Sequence, residues 1–139
     1  MSELNENSVI KAIRRMRGLG TDTQRWEVKE SVQELPKKLL ETISAFSNMH
    51  GGTIILGLSE KNGFRPAEGF NADKIYAQMQ TIGDAMTPIV RMEIEKMRFE
   101  GRILVVAHVP EIPKRMKPCY ISNLDFSSPG YSKGVQSQH

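Results

Sequence analysis

From Ser8 to Arg17 the apolar side chains fall at Val9, Ile13 and Met16, the i, i+4, i+7 spacing of one helix face. Ser8 is suited to cap its first turn, and Gly18 and Gly20 end it. The period then changes. Over residues 24–30, Trp26 and Val28 fall on one side of a strand and Arg25, Glu27 and Lys29 on the other. Helical spacing returns with Leu35, Leu39, Ile43 and Phe46. This segment is entered through Ser31 and Glu34 at capping-box spacing, carries Pro36 in its first turn, and closes at Asn48-Met49-His50-Gly51-Gly52. Thr53 to Leu58 is short, β-branched and apolar throughout, which predicts a strand buried on both faces. Gly57 within it marks a place where another backbone or helix comes close.

After a turn at Ser59 to Gly63, Asn71 opens a helix whose stripe is Ile75, Met79, Ile82 and Met86, ended by Thr87-Pro88. Residues 90–99 and 102–109 predict two strands joined at Glu100-Gly101, the second the more buried. Pro113 and Pro118 argue against regular structure between them, so Lys114, Arg115 and Lys117 are expected to be exposed. Residues 122–139 are rich in Ser, Gly and Gln and read as a poorly ordered tail. The element order predicts an α+β fold, a central mixed β-sheet flanked by helices. Its parts are a basic N-terminal helix over 1–20, a domain over 21–121 and the tail.

Composition narrows the function classes. With 139 residues and 39% hydrophobic side chains, one domain can bury a core without staples. Cys119 is the single cysteine, which excludes an internal disulfide and a multi-thiolate zinc site and fits a reducing compartment. The apolar runs are far shorter than the roughly 20 residues of a membrane span. The N-terminus lacks the basic start and apolar stretch of a secretion signal, so a cytoplasmic protein with no membrane partner is expected.

Lys and Arg number 19 against 16 Asp and Glu, so the excess of +3 matters less than its placement. No acid interrupts Lys11, Arg14, Arg15 and Arg17 between Ser8 and Gly20, giving a cationic stripe that also reads as a solvated helix face. Arg25 and Lys29 share a strand face with Glu27 and can pair with it instead of binding a ligand. There is no phosphate-binding Gly-x-x-x-x-Gly-Lys run and no nucleophile elbow, and His50, His108 and His139 have no partners at ligand spacing. Asp22, Glu27 and Glu60 lie at strand ends, where three carboxylates could hold Mg²⁺ or Mn²⁺ and cut a phosphodiester, although acids flanking strands are common.

Trp26-Glu27-Val28-Lys29, then Leu40-Glu41-Thr42-Ile43-Ser44-Ala45-Phe46-Ser47-Asn48, then Gly51-Gly52-Thr53-Ile54-Ile55-Leu56-Gly57-Leu58 resemble, in this order, three linked signatures of the Schlafen AlbA-type domain. Helix 71–86 with Pro88, the hairpin strands and Lys117-Pro118-Cys119-Tyr120 continue the likeness, which spans about residues 20–121. The resemblance implies that family's fold. It also implies a DNA-binding module of the kind found in bacterial regulators, often fused to a divergent AAA-type ATPase or helicase-like part that this chain does not contain. Animal relatives can be RNA endonucleases, and by motif position Glu27 and Asp22 match two of their acidic residues. The third position falls near Ser59-Glu60, without the usual Asp, and the relatives' cysteine-rich zinc site is missing. Family members continue into a further strand bearing Arg and Gly. Tyr131-Ser132-Lys133-Gly134 matches it poorly, which implies a truncated or diverged end and a sheet without its final strand.

The leading expectation is a nucleic-acid-binding module of a transcriptional regulator or helicase-like protein, needing no cofactor. It would hold the phosphates of DNA or RNA with Arg14, Arg15, Arg25, Lys29, Lys114, Arg115 and Lys117. The alternative is a metal-dependent endonuclease using Asp22, Glu27 and Glu60. A third reading is an interaction module, forming a homodimer through an open sheet edge. An ATPase partner is a further expectation.

Overall fold

The computed structural model describes residues 4–21 and 23–122. Asp22 and all of the expected tail beyond Ser122 lie outside them.

Helix α1 (Glu6–Leu19) buries the Val9, Ile13 and Met16 stripe. Its cap is Asn5, three residues ahead of Ser8, with Oδ1 accepting from the N–H groups of Asn7 at 2.9 Å and Ser8 at 3.2 Å. An amide acceptor placed there satisfies two free donors of the first turn and lengthens the helix. The other elements are β1 (Trp26–Lys29), α2 (Leu39–Asn48), β2 (Gly52–Leu56), β3 (Leu58–Ser59), β4 (Arg65–Pro66), α3 (Ala72–Ile82), β5 (Met86–Thr87), β6 (Glu93–Phe99), β7 (Arg102–Val109) and β8 (Tyr120–Ile121).

The main sheet has the order β1-β2-β7-β6. Strand β1 runs parallel to β2, and both β2–β7 and β7–β6 are antiparallel. The mixed sheet follows from the connections: helix α2 carries the chain from β1 back to a parallel β2, whereas the short turn at Glu100-Gly101 suffices for the β6–β7 hairpin. Both turn residues have positive φ, 50° and 78°, matching the right-handed twist of the strands they join. Alternation then sorts the core into two layers. Ile55, Leu104, Val106, Met97 and Phe99 face α1, together with Val28. Ile54, Leu56, Val105, Ala107 and Val109 face α2 and α3, meeting Leu39, Ile43, Ile75 and Met79. The protein is therefore an α+β sandwich of helix, sheet and two helices. No helix of the described residues is long and apolar enough to cross a membrane.

Four further expectations are corrected. Helix α2 starts at Leu39, not at Ser31. Ser31 has φ 45°, which a helix cap does not adopt, and the chain after it joins the entry to α3: Val32 O accepts from Asn71 N–H at 2.9 Å and Gln33 donates to Gly69 O at 3.1 Å. Helix α3 ends at Ile82. Gly83 passes so close to Val90 that a Cβ would stand 2.0 Å from its carbonyl oxygen, and Met86 leaves the helix to join β5, paired with β8. The strand expected over 53–58 breaks at Gly57, whose φ of 104° and contact with the Phe70 ring divide β2 from β3. Finally, Lys114–Met116 is a 3₁₀ turn, closed by Met116 N–H on Pro113 O at 2.8 Å. Pro113 supplies the fixed φ for its entry instead of preventing it.

Candidate nucleic-acid interface

Three stretches distant in sequence meet beside the starts of β1 and β2: Arg25, the turn Met49-His50-Gly51 and the segment after β7. Gly51 makes this approach possible. Its φ is 79°, and a Cβ there would lie 2.8 Å from Val109 O and 3.3 Å from Glu111 N. Arg25 donates to His50 O, and Lys117 donates to Glu111 at 2.7 Å and to Met49 O at 3.4 Å. The hydrogen bond from Lys117 chiefly holds the Glu111 carboxyl below its ordinary range, and the charges of Lys117, His50 and Arg25 act in the same direction. Lys114 and Arg115 are exposed on the 3₁₀ turn and meet no acid among the described residues. Lys117 and Arg25 thus meet at one carboxylate, and Lys114 and Arg115 lie on the turn that leads into Lys117. The exposed side chains of Met49 and Met116 lie among them.

The basic segment is anchored from below. Asn48, the last residue of α2, accepts from Cys119 N–H at 2.6 Å and donates to Cys119 O at 3.0 Å, as an adjacent strand would. Ser44 Oγ donates to the same carbonyl at 2.9 Å, and Ile112 N–H reaches Ser47 O at 3.0 Å. Cys119 is buried at 2% exposure and serves as core beneath the cations.

The cations of α1 divide between its two flanks. Lys11 and Arg15, one turn apart, line a cleft of about 220 Å³ with Trp26. A second cleft of about 250 Å³ uses Trp26, Arg25 and His108. Arg14 lies on the other flank, near Glu100. There Arg17 forks onto the Glu100 carboxylate through two bonds of 2.7 Å and stacks over Phe99 at 5.3 Å. The bond from Arg17 holds Glu100 below its ordinary range, helped by the charges of Arg17, Arg65 and Arg14. Lys29 pairs with Glu27 at 3.3 Å, the strand-face pairing that their alternation allowed. Of the seven cations singled out in the sequence, Arg25 and Lys117 act on Glu111, Lys114 and Arg115 lie exposed on the adjoining turn, Arg15 lines a cleft with Trp26, and Arg14 and Lys29 stand apart. His50, Lys11 and Trp26 were not among the expected site residues. An aromatic residue directly after Arg25 was the available signal.

The carboxylates are less coherent. Asp22 lies outside the described residues. Glu27 is engaged by Lys29, and Glu60 shares a cleft of about 470 Å³ with Glu30, Lys29 and Lys61. Glu30 in turn accepts from the buried Ser59 hydroxyl at 2.8 Å. Among the described residues no three His, Cys, Asp or Glu side chains come together as metal ligands.

The family described as Schlafen, AlbA_2 matches residues 22–131, more than half of the sequence. The chain belongs to that family. Solved structures repeat the AlbA_2 fold seen here. One is the N-terminal domain of the "Putative ATP-dependent DNA Helicase RecG-related Protein" of Nitrosomonas europaea, at TM-score 0.66 and 23% identity, covering 87% of this chain and 84% of that one. Another is the DIP2311 protein of Corynebacterium diphtheriae, at TM-score 0.52 and 17% identity; the match takes in 84% of this chain but 24% of that one. No curated protein matches the sequence.

Proposed function

We propose that this AlbA_2 domain binds nucleic acid, DNA in the first instance, by its phosphate backbone. The observation that carries the reading is the meeting of Arg25 and Lys117, drawn from separate parts of the chain, at a single opposing carboxylate, with Lys114 and Arg115 exposed on the turn that leads into Lys117. Flexible cations on an exposed turn suit a polyanion whose charges repeat, because each phosphate neutralised releases condensed counterions. The family and the DNA-helicase name of the Nitrosomonas neighbour favour the same ligand. In this reading the domain recognises DNA beside an ATPase that supplies the work, as part of a regulator or helicase-like system.

The test is a salt series. Four contacts predict a log-log slope of roughly -3.6 on duplex DNA, a loss of affinity of roughly 100-fold from 50 to 200 mM salt. Replacing Lys114, Arg115 and Lys117 with Ala should remove most of that slope, whereas Lys37→Ala with Lys38→Ala, at the start of α2, should leave it. Binding that ignores salt, or that survives the triple replacement unchanged, would overturn the proposal.

A further inference from the structure

Trp26 is the only tryptophan of the chain, and its position is unusual for a core residue. It sits on β1, the outermost strand on that side of the sheet among the described residues, and turns towards α1 with Val28. The ring packs against the core without being fully covered, and it forms a wall of both clefts described above. On one side of it Lys11 and Arg15 project from successive turns of α1, both exposed and without an acid partner among the described residues. On the other side Arg25 meets a backbone carbonyl, which leaves its positive charge uncompensated by that contact. The acid facing this side is Glu93, opposite His108 in the β6–β7 register, where it accepts from Leu4 N–H at 3.3 Å.

An indole with cations on both sides is the arrangement that holds an unpaired base against an aromatic face while the flanking phosphates are neutralised. A base within a duplex is stacked above and below and cannot enter a recess bounded by α1 and β1. We infer that Trp26 is a stacking platform for one base of single-stranded nucleic acid, with Lys11 and Arg15 holding the phosphate on one side of that base and Arg25 the phosphate on the other. This deepens the proposed function, on which it rests, by naming a strand class and a base contact. Arg25 joins the two, since it lines the Trp26 cleft and also acts on Glu111 within the basic cluster.

Because no other tryptophan contributes, the emission of the protein reports on this ring alone. Titration of the full chain with short oligothymidylate and oligouridylate should quench it and saturate. Trp26→Ala should weaken single-strand binding roughly 5- to 100-fold, the range of one lost stacking contact, while duplex binding and its salt slope stay within twofold. Trp26→Phe should bind within a few-fold of the parent and guards against a folding defect in the Ala variant. Lys11→Ala with Arg15→Ala should weaken single-strand binding without touching the core. Unchanged emission at saturation, or equal single-strand affinity in parent and Trp26→Ala, would overturn the stacking platform even if duplex binding persists. Absence of all nucleic-acid binding would overturn the phosphate reading as well.

Discussion

Replacing Asn48 with Ala tests how the basic segment is held. The side chain makes two hydrogen bonds to one buried residue, to Cys119 N–H and Cys119 O. A hydrogen bond in such a setting contributes about 1 kcal/mol net, and a buried donor left without a partner costs about 1–3 kcal/mol. The two atoms of Cys119 are affected unequally. Its carbonyl keeps the Ser44 hydroxyl at 2.9 Å, whereas no other acceptor serves its N–H among the described residues. The expected loss for Asn48→Ala is therefore about 2–3 kcal/mol, and for Ser44→Ala about 1 kcal/mol. At about 4 °C per kcal/mol for a domain of this size, the melting temperatures should fall by about 8–12 °C and about 4 °C. Differential scanning calorimetry measures both, and urea unfolding at 25 °C checks the free energies. Since Asn48 also fixes the chain just beyond Lys117, its loss should weaken DNA binding at temperatures well below unfolding. Equal effects of the two substitutions, or an Asn48→Ala protein that melts with the parent, would refute the strand-like clamp.

Two further outcomes follow from the electrostatics. Glu111 is the carboxylate opposing the basic cluster, so Glu111→Gln removes a competitor for Lys117; DNA affinity at low salt should rise several-fold while the salt slope stays near that of the parent, as measured by fluorescence anisotropy. A weaker complex would show that Glu111 serves to position Lys117 for its ligand. Glu100 has its folded pKa lowered by Arg17, so the pair contributes stability above the ordinary carboxylate range and loses it as pH falls through the folded value. Because both side chains are partly exposed, Glu100→Gln should cost less than about 1 kcal/mol at pH 7, and the difference should shrink as the pH falls below the ordinary carboxylate range, read from urea midpoints. A difference that stays the same size as the pH is lowered would reject an ionic origin.

Much of the scaffold could be read from periodicity because local pattern and burial agree there. Val9, Ile13 and Met16 line up as their spacing requires, β2 is buried on both faces as its apolar run predicts, and β7 is the more buried strand of the hairpin. Gly57 also marks the close approach that its place in a strand suggested, with Phe70 as the neighbour. The errors arise where a distant segment overrides a local signal. Ser31 and Glu34 have capping-box spacing, yet Asn71 and Gly69 take up the backbone and side chain that follow Ser31. Met86 fits the α3 stripe by number, yet Gly83 must yield to Val90 and β8 claims Met86. The site shows the same division. Helical spacing already separates Lys11 and Arg15 from Arg14 and Arg17, but only the packing of α1 decides which flank meets Trp26. That Arg25 comes to lie near Lys117 depends on Gly51 admitting the loop after β7, which no local pattern records.

The sheet order separates two kinds of evolutionary constraint. Strands β2 and β7 have neighbours on both sides and helices above and below, so substitutions in them disturb the whole interior. Strand β1, which carries Trp26 directly after Arg25, is bonded along one margin only among the described residues. Drift in its outward-facing positions can retune which ligand is preferred at small cost to stability, so a single architecture is able to diversify in specificity while its folding determinants stay fixed.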